Sequence, residues 1–118
     1  MRAEYMASAS DGGARTGTVT VAGGSFRTPC FMPVGTRGAV RHLSSVDLAD
    51  LGAEVVLGNT YHLMLRPGAE VVRAHGGLAG FAGWDGLTLT DSGGYQIFSL
   101  QPKVDDEGAT FRSTYDGS

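Results

Sequence analysis

The stretch Glu54 to Gly58 constrains the fold most, because Val55, Val56 and Leu57 are consecutively apolar between Gly52 and a polar Asn59-Thr60 exit. An apolar run without alternation suits a strand covered on both faces, the usual condition in a parallel sheet. Parallel strands need long crossovers between them. The flanking sequence supplies these. Upstream, Ser44 can cap a first helical turn with Asp47 three residues on, Leu43 and Leu48 stand at staple spacing, and Gly52 stops the helix. Downstream, Ala69 to His75 reads as a second helix ending at Gly76-Gly77, and Gly86 to Thr90 as another short strand broken by Asp91-Ser92-Gly93-Gly94. The pattern predicts α/β architecture, in which loops leaving the C-terminal ends of strands build the active site. Two loops qualify: Asn59 to His62 and Asp91 to Gln96.

Ahead of this unit, Thr16 to Val21 and Ser25 to Val34 flank a Gly23-Gly24 turn and read as an antiparallel hairpin whose second arm enters the core. Pro29 and Pro33 place that arm at an edge or bend, since proline donates nothing to a sheet ladder. Residues 1–14 lack hydrophobic periodicity and read as a loose leader, with one domain over 15–118. Lys103 to Ser118 reads as a hairpin around Glu107-Gly108, and the closing Asp116-Gly117-Ser118 turn signal as a cut rather than a finished end.

Composition narrows the setting. A formal charge of -3 gives no global positive field, so contact with nucleic acid must come from a local patch. The single cysteine, Cys30, permits no internal disulfide and no thiolate-rich metal site, which fits a reducing, cytoplasmic location. No apolar run approaches the roughly 20 residues that span a bilayer, so no membrane is expected.

Asp91 follows a strand and precedes two glycines, which places its carboxylate where backbone approaches a ligand closely. Guanine presents N1–H and an N2 amino group side by side, and one carboxylate accepts both. Tyr95 could stack on the same base. On the residues alone, capping of the following turn by Asp91 or Ser92 is the more economical reading. His42, His62 and His75 show no H-x-x-x-H spacing and are assigned no metal. Arg37, Arg41, Arg66 and Arg73 are candidate phosphate contacts, against a solvated-surface reading.

Thr90-Asp91-Ser92-Gly93-Gly94-Tyr95-Gln96, Thr28 to Thr36 (TPCFMPVGT) and Gly58 to Leu63 (GNTYHL) occur in the order of, and together resemble, the tRNA-guanine transglycosylase family. Leu65 to Gly68 and Phe111 to Ser118 extend the similarity, and Tyr95 makes it similar to the bacterial type. The resemblance implies the N-terminal strands and first units of an irregular (β/α)8 barrel, incomplete in this chain. It implies exchange of the wobble guanine of tRNA for 7-aminomethyl-7-deazaguanine through an aspartate nucleophile that attacks C1′. That nucleophile is expected beyond residue 118, so the chain alone is expected to be inactive. Asp91 then corresponds to the residue that grips the base edge and accepts its proton. Ser92, Gly93, Gly94 and Tyr95 line the base pocket, and Val34, Leu57 and Asn59 pack around the adjacent sugar and backbone; Val34 and Leu57 are equally well explained as core. The implied partners are tRNA, guanine and the deazaguanine, and the longer enzymes allow a homodimer. Zinc is expected in full-length members, held by three cysteines and a histidine from their C-terminal half, and no cofactor is expected here. A non-catalytic tRNA-binding or partner subunit is the rival reading, against which the Asp91 carboxylate argues. An unrelated nucleotide or sugar-phosphate enzyme is a third, but the sequence has no G-x-G-x-x-G or P-loop.

Overall fold

The computed structural model describes residues 2–118. Its first layer is an antiparallel sheet of β1 (Glu4–Asp11), β2 (Ala14–Val21) and β3 (Gly24–Thr28), in the order β1-β2-β3. The β2–β3 hairpin forms as expected, with Val21 opposite Gly24 and Gly17 opposite Thr28. Two expectations are corrected here. The stretch expected to be a loose leader contains β1, which pairs with β2 from Glu4↔Thr20 to Asp11↔Ala14. Every β1 side chain is exposed, so this strand is held by its backbone ladder and leaves no hydrophobic signature in the sequence. The second hairpin arm stops at Thr28, and Phe31 beyond it is 82% exposed instead of entering the core.

After Pro33 the chain turns into the parallel layer. Val34 forms an isolated parallel bridge with Leu57, closed by Gly35 N–H donating to the Leu57 carbonyl (2.7 Å) and Leu57 N–H to that of Pro33 (2.9 Å). Helix α1 (Ser45–Asp50) crosses to β4 (Val55–Gly58). Its start is the expected capping box: the Ser44 hydroxyl accepts from Asp47 N–H (3.1 Å), and the Asp47 carboxylate accepts from Ser44 N–H (2.8 Å). Helices α2 (Thr60–Leu65), α3 (Ala69–Ala74) and α4 (Leu78–Ala82) then lead to β5 (Leu87–Thr90), which pairs parallel to β4 in the register Val55↔Leu87 to Gly58↔Thr90.

Val55 and Val56 are buried at 2% and 6% exposure, which explains the unbroken apolar run. Leu48 of α1 packs with Val56 and Trp84 to form the core of this layer, and the Trp84 indole N–H is satisfied by the Leu87 carbonyl at 3.0 Å. Helix α5 (Gly94–Ser99) follows β5, and β6 (Lys103–Asp105) pairs with β7 (Gly108–Thr110) in the expected final hairpin. The architecture is mixed α/β with antiparallel N-terminal strands. Among the described residues, no helix is long and apolar enough to cross a membrane.

Candidate active site

Three chain segments converge at the C-terminal edge of the parallel layer. Asn59, which leaves β4, donates its backbone N–H to the Thr36 carbonyl at 3.2 Å. Asp91, which leaves β5, donates its own to the Gly58 carbonyl at 3.4 Å. Side chains then tie the two strand ends together. Asn59 Nδ2 donates to Asp91 Oδ2 at 2.6 Å, and Thr60 N–H donates to Asp91 Oδ1 at 2.9 Å. The Thr60 hydroxyl donates to the Asp91 carbonyl.

Local sequence explains this convergence. Asn59 is the N-cap of α2, its side-chain carbonyl accepting from His62 N–H at 3.0 Å. Capping fixes the amide so that its NH2 faces the neighbouring strand end. Asn59 is buried, and this double use satisfies both ends of its amide. Asp91 therefore does not cap the turn that follows it, as its residue type alone suggests, but the start of α2 across the sheet. Ser92 takes the local role, its hydroxyl accepting from Gly94 N–H at 3.3 Å.

Gly93 is buried with φ +70°, in the left-handed region that L side chains adopt at a cost. It turns the chain from the Asp91 loop into α5 and packs beside Tyr61. Tyr95, on the first turn of α5, stands 77% exposed. Val34 and Leu57 are bridge partners, so the structure places them side by side, with Val34 55% exposed at the surface. Thr60 is a neighbour of Asp91 that sequence reasoning did not single out. An Asn followed by Thr before the Tyr61 and Leu63 pair is a helix start signal, and reading it as one would have left the Thr60 N–H as a first-turn donor that the Asn59 cap does not serve.

Asp91 accepts one hydrogen bond at each carboxylate oxygen from these partners. A carboxylate has about four lone-pair sites, so acceptor capacity remains for a ligand that presents paired N–H groups. Metal chemistry finds no support from these residues: Cys30 is free and exposed, and among the described residues no three His, Cys, Asp or Glu side chains converge. They do not fit a zinc site of three cysteines and a histidine.

A side-chain cluster at the carboxyl ends of adjacent parallel strands defines the class, an α/β protein with its candidate site at that edge. The model of the queuine tRNA-ribosyltransferase family matches residues 10–118, and the chain belongs to that family. It is similar to the queuine tRNA-ribosyltransferases of Francisella tularensis subsp. novicida strain U112 and of subsp. tularensis strain WY96-3418, 54% identical to each over 110 residues. These matches cover 92% of this chain and 30% of the length of each relative.

Proposed function

We propose that this chain supplies the base-recognition part of a tRNA-guanine transglycosylase, a pentosyltransferase that exchanges the wobble guanine of tRNA for 7-aminomethyl-7-deazaguanine in queuosine biosynthesis. The observation that carries this reading is the Asp91 carboxylate, fixed at a strand end by Asn59 and Thr60. A carboxylate held there meets the N1–H and N2 amino group of guanine as a paired acceptor. Tyr95, largely exposed on the first turn of α5, offers a ring for stacking, and Ser92, Gly93 and Gly94 form the backbone approach. Val34 and Leu57 suit an apolar contact with the sugar, and Asn59 holds the carboxylate. As a carboxylate, Asp91 suits the acceptor half of the exchange, taking a proton from the incoming base. Val34, β4 and β5 read as the first three strands of an irregular (β/α)8 barrel. The nucleophile that attacks C1′ corresponds to none of these residues, so the 118-residue chain is expected to bind guanine without exchanging it.

Calorimetric titration of the chain with guanine and adenine tests the reading. Asp91→Asn presents an amide N–H to guanine's donors in place of an acceptor. Loss of a hydrogen bond to a charged group costs about 1.5–3 kcal/mol, or roughly 10–100-fold in guanine affinity. Equal guanine affinity in native and variant chains, or no preference over adenine, overturns the assignment. Incorporation of labelled guanine into tRNA by the chain alone is expected to stay at background. Because both Asp91 oxygens are already engaged within the protein, a non-catalytic tRNA-binding or partner role has an observation behind it. That role predicts undiminished tRNA binding by the Asp91→Asn chain without any guanine preference.

A further inference from the structure

Near the base site lies a second cleft, of about 770 Å³, lined by the segment from Val34 to Arg41, by His62 of α2 and Arg66 just after it, by Phe81 of α4 and by the tail beyond β7. Arg37, Arg41 and Arg66 line it, with His62 and Tyr115, and no Asp or Glu does. In a chain with 12 acidic and 9 basic residues, three of the basic side chains thus share one cleft without a carboxylate. Their isolation is specific. Among the described residues the ion pairs join Arg2 to Glu4, Arg27 to Glu54 and Arg73 to Glu70, and none uses a cleft arginine.

The cleft has internal organisation as well as charge. The guanidinium carbons of Arg37 and Arg66 lie 5.8 and 5.4 Å from the centroid of the Tyr115 ring, within cation–π range. The Tyr115 hydroxyl is in turn bonded to His62 Nδ1 at 2.8 Å. Two cations gathered on one ring repel each other, and an anion between them removes that repulsion while using donors that no protein group takes among the described residues. The guanidinium fork matches the oxygens of a phosphate, and Tyr115 orients two such forks.

We propose that this cleft binds a backbone phosphodiester of a single-stranded polynucleotide, next to the nucleotide whose base is held at Asp91. This rests on the base-site reading for the identity of the polymer, and on the cleft alone for its anion. The two sites are joined structurally: His62, which lines the cleft, donates its backbone N–H to Asn59, and Asn59 holds Asp91. Val34, expected beside the sugar, also lines the cleft. The two sites therefore share one short segment, Asn59 to His62.

The test uses the native chain and a short oligouridine, which contains no guanine. Arginines are modified with phenylglyoxal in the presence and absence of the oligonucleotide, and the products are mapped by mass spectrometry. Arg37, Arg41 and Arg66 are expected to be protected several-fold, and Arg73, which pairs with Glu70, to react equally in both cases. Anisotropy titrations over a range of salt concentrations supply the second reading. For single strands the slope of log affinity against log salt is about -0.7 per phosphate contacted, so Arg66→Gln and Arg37→Gln should each make it shallower by nearly one contact. Arg66→Lys should retain the slope.

Equal modification with and without oligouridine, or unchanged slopes in both glutamine variants, overturns the proposal. Protection by orthophosphate at matched ionic strength, with none by oligouridine, assigns the cleft to a free anion and overturns the polynucleotide assignment. Because the probe lacks guanine, a failed guanine titration with an intact footprint defeats the base-site reading alone.

Discussion

The N-terminal sheet and the parallel layer are built on opposite principles. In β1, β2 and β3 no hydrophobic side chain is buried, and Tyr5 and Met6 are 46% and 76% exposed. In the segment from Leu48 to Trp84 lie the buried hydrophobics of the described residues: Leu48, Val55, Val56, Tyr61, Leu63 and Trp84. The first region is held by backbone ladders and tight turns, with the Arg27–Glu54 ion pair (3.1 Å) reaching across to the second. The second is held by side-chain packing. Asp91 and Asn59 stand on the packed region, so the geometry of the candidate site depends on a core to which the sheet contributes little.

The largest effect that could break this contrast comes from paired truncations. Trp84→Ala removes a buried indole that packs on Leu48 and Val56 and bonds the Leu87 carbonyl. Such a deletion typically costs about 3–5 kcal/mol, a large part of the roughly 5–15 kcal/mol that stabilises a domain. Met6→Ala on β1 should stay within about 0.5 kcal/mol, as exposed substitutions do. Urea unfolding of the two variants measures the difference. Comparable losses would show that the sheet shares the core's stability and that the two regions are one packed unit.

The same contrast governs what the sequence discloses. Strand β4 was legible because burial on both faces writes an unbroken apolar run, and α1 because Ser44 and Asp47 form their cap within four consecutive residues. The β2–β3 and β6–β7 hairpins were legible through their turn residues. Strand β1 was not: its Ala and Ser side chains face solvent, and the ladder to β2 uses backbone groups common to all residues. Helices α2, α4 and α5 span only five or six residues each, too few for a 3.6-residue period to show, and α4 and α5 contain Gly80 and Gly94. At the site, Asp91 stood out by its place between a strand and two glycines. Its partners Asn59 and Thr60 lie more than thirty residues earlier, and only the parallel pairing of β4 with β5 brings them into contact.

A matched pair of glycines sharpens the comparison at smaller scale. Gly12, in the β1–β2 turn, and Gly93, before α5, have φ of +57° and +70°. Neither lacks room: an added Cβ meets nothing within 4 Å at Gly12 and makes an ordinary 3.5 Å contact with Tyr61 at Gly93. Alanine at either position therefore pays mainly for left-handed backbone, about 1–2 kcal/mol. The stability losses should be similar and the consequences different. Gly93→Ala is expected to shift the amide resonances of Asp91 and Thr60 and weaken guanine binding, whereas Gly12→Ala leaves both unchanged. Equal perturbation of the site by the two variants would couple the sheet to it.

The smallest effect concerns acid. The Asp47 carboxylate accepts hydrogen bonds from the Ser44 backbone and hydroxyl, which hold its pKa below the ordinary value of 3.8. A carboxyl depressed in the folded state stabilises that state at pH values above its unfolded pKa. The contribution declines as pH falls through the ordinary value and is lost once the folded pKa is passed. The α1 cap should therefore weaken only below about pH 4, while the hydrogen bonds of the β1–β2 ladder involve no titrating group. Carboxyl carbon resonances followed by NMR during acidification should place the Asp47 midpoint below that of an unstructured peptide. Ser44→Ala should return it toward the ordinary value while leaving Asp116, depressed separately by its bonds from Ser118, where it was. An Asp47 midpoint that ignores the loss of the Ser44 hydroxyl would mean that the backbone N–H of residue 44 alone sustains the shift, and the cap would then rest on one hydrogen bond instead of a reciprocal pair.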